Sequence, residues 1–239
     1  MSALHLGLGI GVLFAGALVQ STVGFGAALF SVPVLLLVDP AFVPGPAVVA
    51  GLALNILMTI GHRAHTDRAG LRWIVVGLVP GSLVALAALR AVPSDDLAIL
   101  SGAAVLVAVA ITAVGVVPRK RPPTLVAAGL VSGFMGSTAA ISGPPLALLY
   151  QRDDARTLRG TLPTAFLVSS SLALVMLSIA DQMSAHDWLV GLALAPGGLA
   201  GFLVGGRWLT GRVEGSNLRL AVLVVSAASA ALAIWRAVS

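Results

Sequence analysis

TLVAAGLVSGFMGSTAAISGPPLALLY, residues 124–150, runs for 27 residues without a charged side chain. As one helix it would reach ~40 Å at about 1.5 Å per residue, against a hydrocarbon layer of ~30 Å. Two crossings of ~20 residues each would need a longer stretch. It is also interrupted by Gly133-Phe134-Met135-Gly136-Ser137-Thr138 and by Gly143-Pro144-Pro145, residue types that loosen or end helices. A bent pair of half-helices meeting at a Gly/Ser-rich tip satisfies both the length and the breakers.

The flanking charges test this reading. Arg119-Lys120-Arg121 precedes the segment and Arg152, Arg156 and Arg159 follow it. Loops rich in Arg and Lys stay in the cytoplasm, so residues 124–150 enter and leave by the same face, as a hairpin. Two more basic clusters, Arg63-Arg68-Arg72 and Arg207-Arg212-Arg219, mark further cytoplasmic loops. The connections near Asp39, Asp95-Asp96 and Asp181–Asp187 are acidic or neutral. Twelve of the fourteen basic residues thus share one side, with only Arg90 and Arg236 opposite. Residues 3–38, interrupted by Ser21-Thr22-Val23-Gly24-Phe25-Gly26 and by Pro33, read as a second hairpin. The N-terminus is then expected outside.

Composition agrees with a membrane setting. The chain of 239 residues is 58% hydrophobic and 10% charged, whereas soluble domains carry about 25% charged residues. So few charges could not cover a water-facing surface, and so much apolar side chain excludes disorder. The net charge of +5 does not imply nucleic acid, because aromatics are only 5% and the basic residues lie in short loops. No cysteine is present, which removes disulfides, thiolate metal sites and Cys nucleophiles. The N-terminal stretch lacks a basic n-region and reads as a retained membrane segment. Between the hairpins and after the second, apolar runs at 42–61, 73–89, 97–117, 162–180, 188–206 and 218–235 are long enough to cross as helices. They do not alternate as barrel strands would.

The sequence also repeats itself. A shift of 112 residues aligns Gly24 with Gly136, Ala27-Ala28 with Ala139-Ala140 and Pro33 with Pro145. Trp73 matches Trp188, and Pro80-Gly81 matches Pro196-Gly197, at shifts of 115 and 116. Each unit, 1–118 and 119–239, is a broken-helix hairpin plus three transmembrane helices. Three is odd, so the second unit starts on the opposite face. The expected architecture is an all-α polytopic membrane protein of two inverted-topology repeats, which in secondary transporters bind substrate near the midplane where broken helices meet.

At Gly16–Val38 and Gly129–Tyr150 the chain resembles the sulfite exporter TauE/SafE family of membrane anion permeases, which carries two copies of a Gly-rich segment ending in Pro and an apolar run. The resemblance covers essentially the whole chain, with Ala27-Ala28 and Ala139-Ala140 where the family often has Gly. It implies a bacterial cytoplasmic (inner) membrane protein that moves small sulfur-containing or organic anions such as sulfite, sulfonates or sulfoacetate.

An anion in a low-dielectric interior needs compensation, and no Arg or Lys falls near the centre of any predicted segment. Half-helix N-termini, backbone N–H groups and hydroxyls remain. The candidate substrate-binding residues are therefore Gln20, Ser21, Thr22, Gly24 and Gly26 at the first tip, Gly136, Ser137, Thr138 and Ser142 at the second, and Asn55 deep in the third segment. Asn55 either faces the site or bonds a broken helix, and the run Ser169-Ser170-Ser171 in the matching segment of the second unit carries the same two readings. His62 and His65 flank Arg63 without visible metal partners, and Asp95-Asp96 and Asp153-Asp154 sit beside helix starts, where acids complement the dipole. No HExxH, GxSxG or phosphate-cradling pattern occurs. Neither catalysis, a metal nor a cofactor is expected, and the partners are a small anion and the lipid bilayer, with small-residue faces that leave a homodimer open. An anion-selective channel, or a scaffold that transports nothing, are the alternatives. A channel would pass ions without saturable counterflow, and a scaffold would have no polar cavity at mid-depth.

Overall fold

The computed structural model describes residues 2–23, 25–93, 96–115, 118–208 and 215–238, and those residues contain helices and no strand. Ten α-helices follow in order: α1 Ala3–Val23, α2 Ala27–Val38, α3 Gly45–His62, α4 Arg68–Ala91, α5 Leu97–Val114, α6 Pro122–Ala139, α7 Gly143–Tyr150, α8 Ala155–Ile179, α9 Ala185–Trp208 and α10 Gly215–Val238. Among the described residues, α1, α3, α4, α5, α8 and α9 are long and apolar enough to cross a membrane.

The breaks fall later than the Gly/Ser clusters imply. Helix α1 runs through Ser21 and Thr22 to Val23, and α6 runs through Gly133–Thr138 to Ala139. Ser and Thr stay helical by bonding back to the preceding turn, as Ser21 Oγ does to the Leu18 carbonyl (2.7 Å) and Thr138 Oγ1 to that of Phe134 (2.9 Å). The arms are consequently unequal, 21 residues against 12 in the first pair and 18 against 8 in the second, and not matched half-helices. Several helices also extend past their apolar cores into charged residues, because Asp caps hold their first turns. Asp67 accepts from Gly70 N–H (2.9 Å) at α4, and Asp154 accepts from Arg156 and Thr157 N–H (2.9 Å each) at α8.

Side-chain contacts gather the connections at two ends. At one, Lys120 before α6 pairs with Asp153 after α7, and both belong to a cluster with Asp67 between α3 and α4. At the other, His5 at the start of α1 lies 3.2 Å from Asp39 after α2, and Arg236 of α10 donates to the Leu37 carbonyl (3.4 Å). Arg90 of α4 donates to the Ile179 carbonyl of α8 (3.2 Å). Each broken pair, α1–α2 and α6–α7, thus closes on itself at its open end.

Small residues set the tightest helix pairs, α4 on α6 and α1 on α9. A Cβ at Gly81 of α4 would lie 2.8 Å from the Leu130 carbonyl carbon, and one at Gly201 of α9 would lie 2.8 Å from that of Phe14. Helices α3 and α8 pack together, while α5 and α10 pair with each other against α2, and α5 also against α6. Large side chains such as Val79, Leu83 and Val84 of α4 and Leu189 and Leu192 of α9 are exposed, the arrangement a lipid solvent requires.

Candidate functional site

A cavity of about 90 Å³ lies where both breaks meet α3 and α8. A single water needs roughly 10–15 Å³ on this scale, so the space takes several waters or one small polyatomic ion.

Its first wall is the α1–α2 break. Gly26, at φ 108° in the left-handed region that favours glycine, turns the chain into α2. Gln20, 5% exposed, accepts from Ala27 N–H through Oε1 (3.2 Å) and donates through Nε2 to Met58 Sδ (3.0 Å). Its carboxamide so caps α2 from the last turn of α1. The N–H groups of Ala28 and Leu29 have no carbonyl within their own helix to bond, and both residues line the cavity.

The second wall is the α6–α7 break. Ala140 takes φ 57°, its N–H donates to the Gly136 carbonyl (3.1 Å), and Ile141 N–H donates to that of Met135 (3.3 Å). This is a left-handed helix end that satisfies two carbonyls. Ser142 Oγ lies 2.7 Å from Ser169 Oγ of α8, and a Cβ at Gly136 would come within 2.5 Å of both oxygens. Only glycine leaves room there. Helix α7 offers fewer donors than α2, since Pro144 and Pro145 lack N–H groups.

Between the walls, Asn55 Nδ2 of α3 donates to Ser170 Oγ of α8 (3.2 Å). Phe25 and Phe166 complete one side, and no ionisable side chain among the described residues lines the cavity. The polar partners an ion would meet there are hydroxyls, amides and helix N-termini, set among aliphatic and aromatic side chains.

Of the residues expected from sequence, Gln20, Gly26, Asn55, Gly136 and Ser142 line this space. Ser21, Ser137 and Thr138 do not. Ser21 turns towards Gly205 of α9 (a Cβ there would lie 3.0 Å from Ser21 Cβ), Thr138 bonds its own helix, and Ser137 Oγ is buried with no partner among the described residues. Gly24 and the side chain of Thr22 lie outside the described residues. Ser31 and Ser170 line the cavity as well. Ser31 was legible as the lone hydroxyl in the apolar run of α2, and it donates to the Val12 carbonyl (3.2 Å). Of the loop histidines, His62 bonds the Met58 carbonyl (3.1 Å), and no cluster of three or more metal-ligating side chains occurs among the described residues.

Neither a curated protein nor a solved structure matches the chain. A family model described as sulfite exporter TauE/SafE matches residues 8–233. With nearly its whole length matched and its helices suited to a bilayer, the chain belongs to the TauE/SafE sulfite exporter family of membrane permeases.

Proposed function

We propose that this protein carries small oxyanions, such as sulfite, organic sulfonates or sulfoacetate, by alternating access between two inverted repeats, 1–118 and 119–239, in a bacterial cytoplasmic membrane with its N-terminus outside. The observation that carries the reading is the cavity held between the two helix breaks, into whose largely apolar lining come the hydroxyls of Ser142 and Ser170, the Asn55 amide and the start of α2, with no ionisable side chain among the described lining residues. The N–H groups of Ala28 and Leu29, the hydroxyls of Ser142 and Ser170 and the Asn55 amide replace the water that the anion leaves behind. A small oxyanion presents several acceptor oxygens and no donor when ionised, which suits these few convergent donors.

Contacts support the repeat. Helix α4 packs on α6 as α9 packs on α1, the pairing expected when the two units exchange roles. Asn55 and Ser170, in direct contact, are separated by 115 residues, the same shift that relates Trp73 to Trp188, so the pair sits where a two-fold axis would run. The basic loops that meet around Lys120 are the cytoplasmic ones by the charge rule.

Purified protein in proteoliposomes, challenged with sulfite, a series of sulfonates and carboxylates, tests the reading. Saturable uptake of the sulfur oxyanions is expected, weakened tenfold or more in Asn55→Leu, which replaces a donor by an apolar group of similar size. Absence of saturable anion movement in the native chain would reject it.

A further inference from the structure

We infer that Asp67, Lys120, Tyr150 and Asp153 form the gate that shuts the cavity off from the basic end of the molecule. The inference rests on the transport reading above, and it adds a moving part that neither the family nor the cavity specifies.

Three connections that are distant in sequence converge on this cluster. Asp67 stands between α3 and α4, Lys120 between α5 and α6, and Tyr150 and Asp153 at the end of α7. Tyr150 donates its hydroxyl to Asp67 Oδ2 (3.0 Å), while Asp67 Oδ1 caps α4 through Gly70 N–H. Lys120 Nζ lies 3.5 Å from the same Asp67 oxygen, pairs directly with Asp153, and sits 4.5 Å from the centre of the Tyr150 ring. The second turn of α8 is tied in too. Asp67 N–H donates to Thr161 Oγ1 (2.9 Å), and Thr66 Oγ1 donates to the Gly160 carbonyl (3.1 Å).

Directly inside the cluster is an apolar plug. The fully buried Tyr150 ring packs with Leu146, Leu162, Ile74 and Leu78, and the plug reaches Phe166 and Phe25. Those two phenylalanines also line the cavity. Helix α7 spans the whole gate. Gly143 and Pro144 face the cavity at its start, and Tyr150 holds the cluster about 10 Å away at its end. An eight-residue helix that is anchored at both ends moves as one piece. Opening the plug therefore requires Tyr150 to leave Asp67, and binding in the cavity bears on the same rod from its other end. The ionic contacts are partly solvated, with side-chain exposures of 21–32%. Such pairs add little net stability, which suits contacts that must break and reform in each cycle.

Lys120 is the only lysine among the fourteen basic residues, so an amine-acylating reagent reads the gate at one side chain, with the N-terminal amine resolved by peptide mass. Two variants loosen the cluster without disturbing packing. Tyr150→Phe keeps the ring, and Asp67→Asn keeps a competent helix cap. Slow acylation of Lys120 is expected in the native chain, rising severalfold when saturating sulfoacetate drives cycling. Both variants should label at least fivefold faster without anion and respond little to it, once each rate is corrected for Lys120 protonation by its pH dependence, and both should still unfold in a single cooperative thermal transition. Equal labelling in all three proteins, with the native chain transporting anions, would overturn the gate and leave the transport reading standing. A native chain that moves no anion would overturn the transport reading and the gate with it.

Discussion

Gln20 and Ser21 are neighbours at the end of α1, yet one lines the cavity and the other faces Gly205 of α9. Successive helical residues point about 100° apart, so a tip located to within a few residues in the sequence leaves the identity of its inward side chains open. Asn55 was legible because it is a lone amide in an apolar segment, whereas Ser170 could not be told from Ser169 and Ser171 without the α3–α8 contact. Ala140 marks the same kind of gap. Alanine in the left-handed region costs about 1–2 kcal/mol, and the sequence could not show that this residue, among several small ones, takes φ 57°. Ala140→Gly should stabilise the purified protein by about 1 kcal/mol, seen as a higher midpoint of thermal unfolding in detergent. A lowered midpoint would contradict the role of this residue in ending α6.

Among the elements, the two breaks were readable from Gly, Ser and Pro, and the basic loops on both sides of residues 124–150 pointed to the closed geometry of the second broken pair. The arm lengths were not readable. In hydrocarbon an unpaired N–H costs several kcal/mol, so α6 continues through Gly133, Gly136, Ser137 and Thr138 where the same residues in water would favour a loop. Packing of the elements depends on positions where a backbone lies against a backbone. Gly81→Val should lower stability by about 1–3 kcal/mol through overpacking against Leu130. Gly11→Ala, at a position with no neighbour within 4 Å, should be neutral or slightly stabilising because alanine favours helix. Thermal unfolding of both variants side by side checks the contrast, and equal effects would count against the α4–α6 contact.

At the scale of the whole molecule, the cluster around Lys120 links stability to pH at both extremes. Burial raises the Asp67 pKa, but the Gly70 N–H, the Tyr150 hydroxyl and the Lys120 charge outweigh it and hold the carboxylate below its ordinary 3.8. Burial lowers that of Lys120, and the hydrogen bond and charge of Asp153, with the Asp67 charge, outweigh it and lift the ammonium above 10.5. A lowered acid contributes stability that is complete above the unfolded value and vanishes as pH falls through the folded one, and a raised base does the reverse on the alkaline side. The unfolding midpoint should therefore be level between about pH 4 and pH 10 and fall beyond both limits. Asp67→Asn should flatten the acid limb, and an unchanged limb would exclude Asp67 as its source.

The neutral lining of the cavity has an energetic consequence. Under the proposed transport, with no ionisable side chain among the described lining residues to cancel the cargo, the loaded protein would take on the full charge of its passenger, and anion movement would carry current unless a cation travels along. An interior-negative voltage would then drive efflux, releasing about 2.3 kcal/mol per elementary charge per 100 mV. Proteoliposomes clamped with a potassium gradient and valinomycin should lose a trapped sulfonate faster as the lumen becomes more negative, and efflux indifferent to voltage would mean that a compensating ion shares the route.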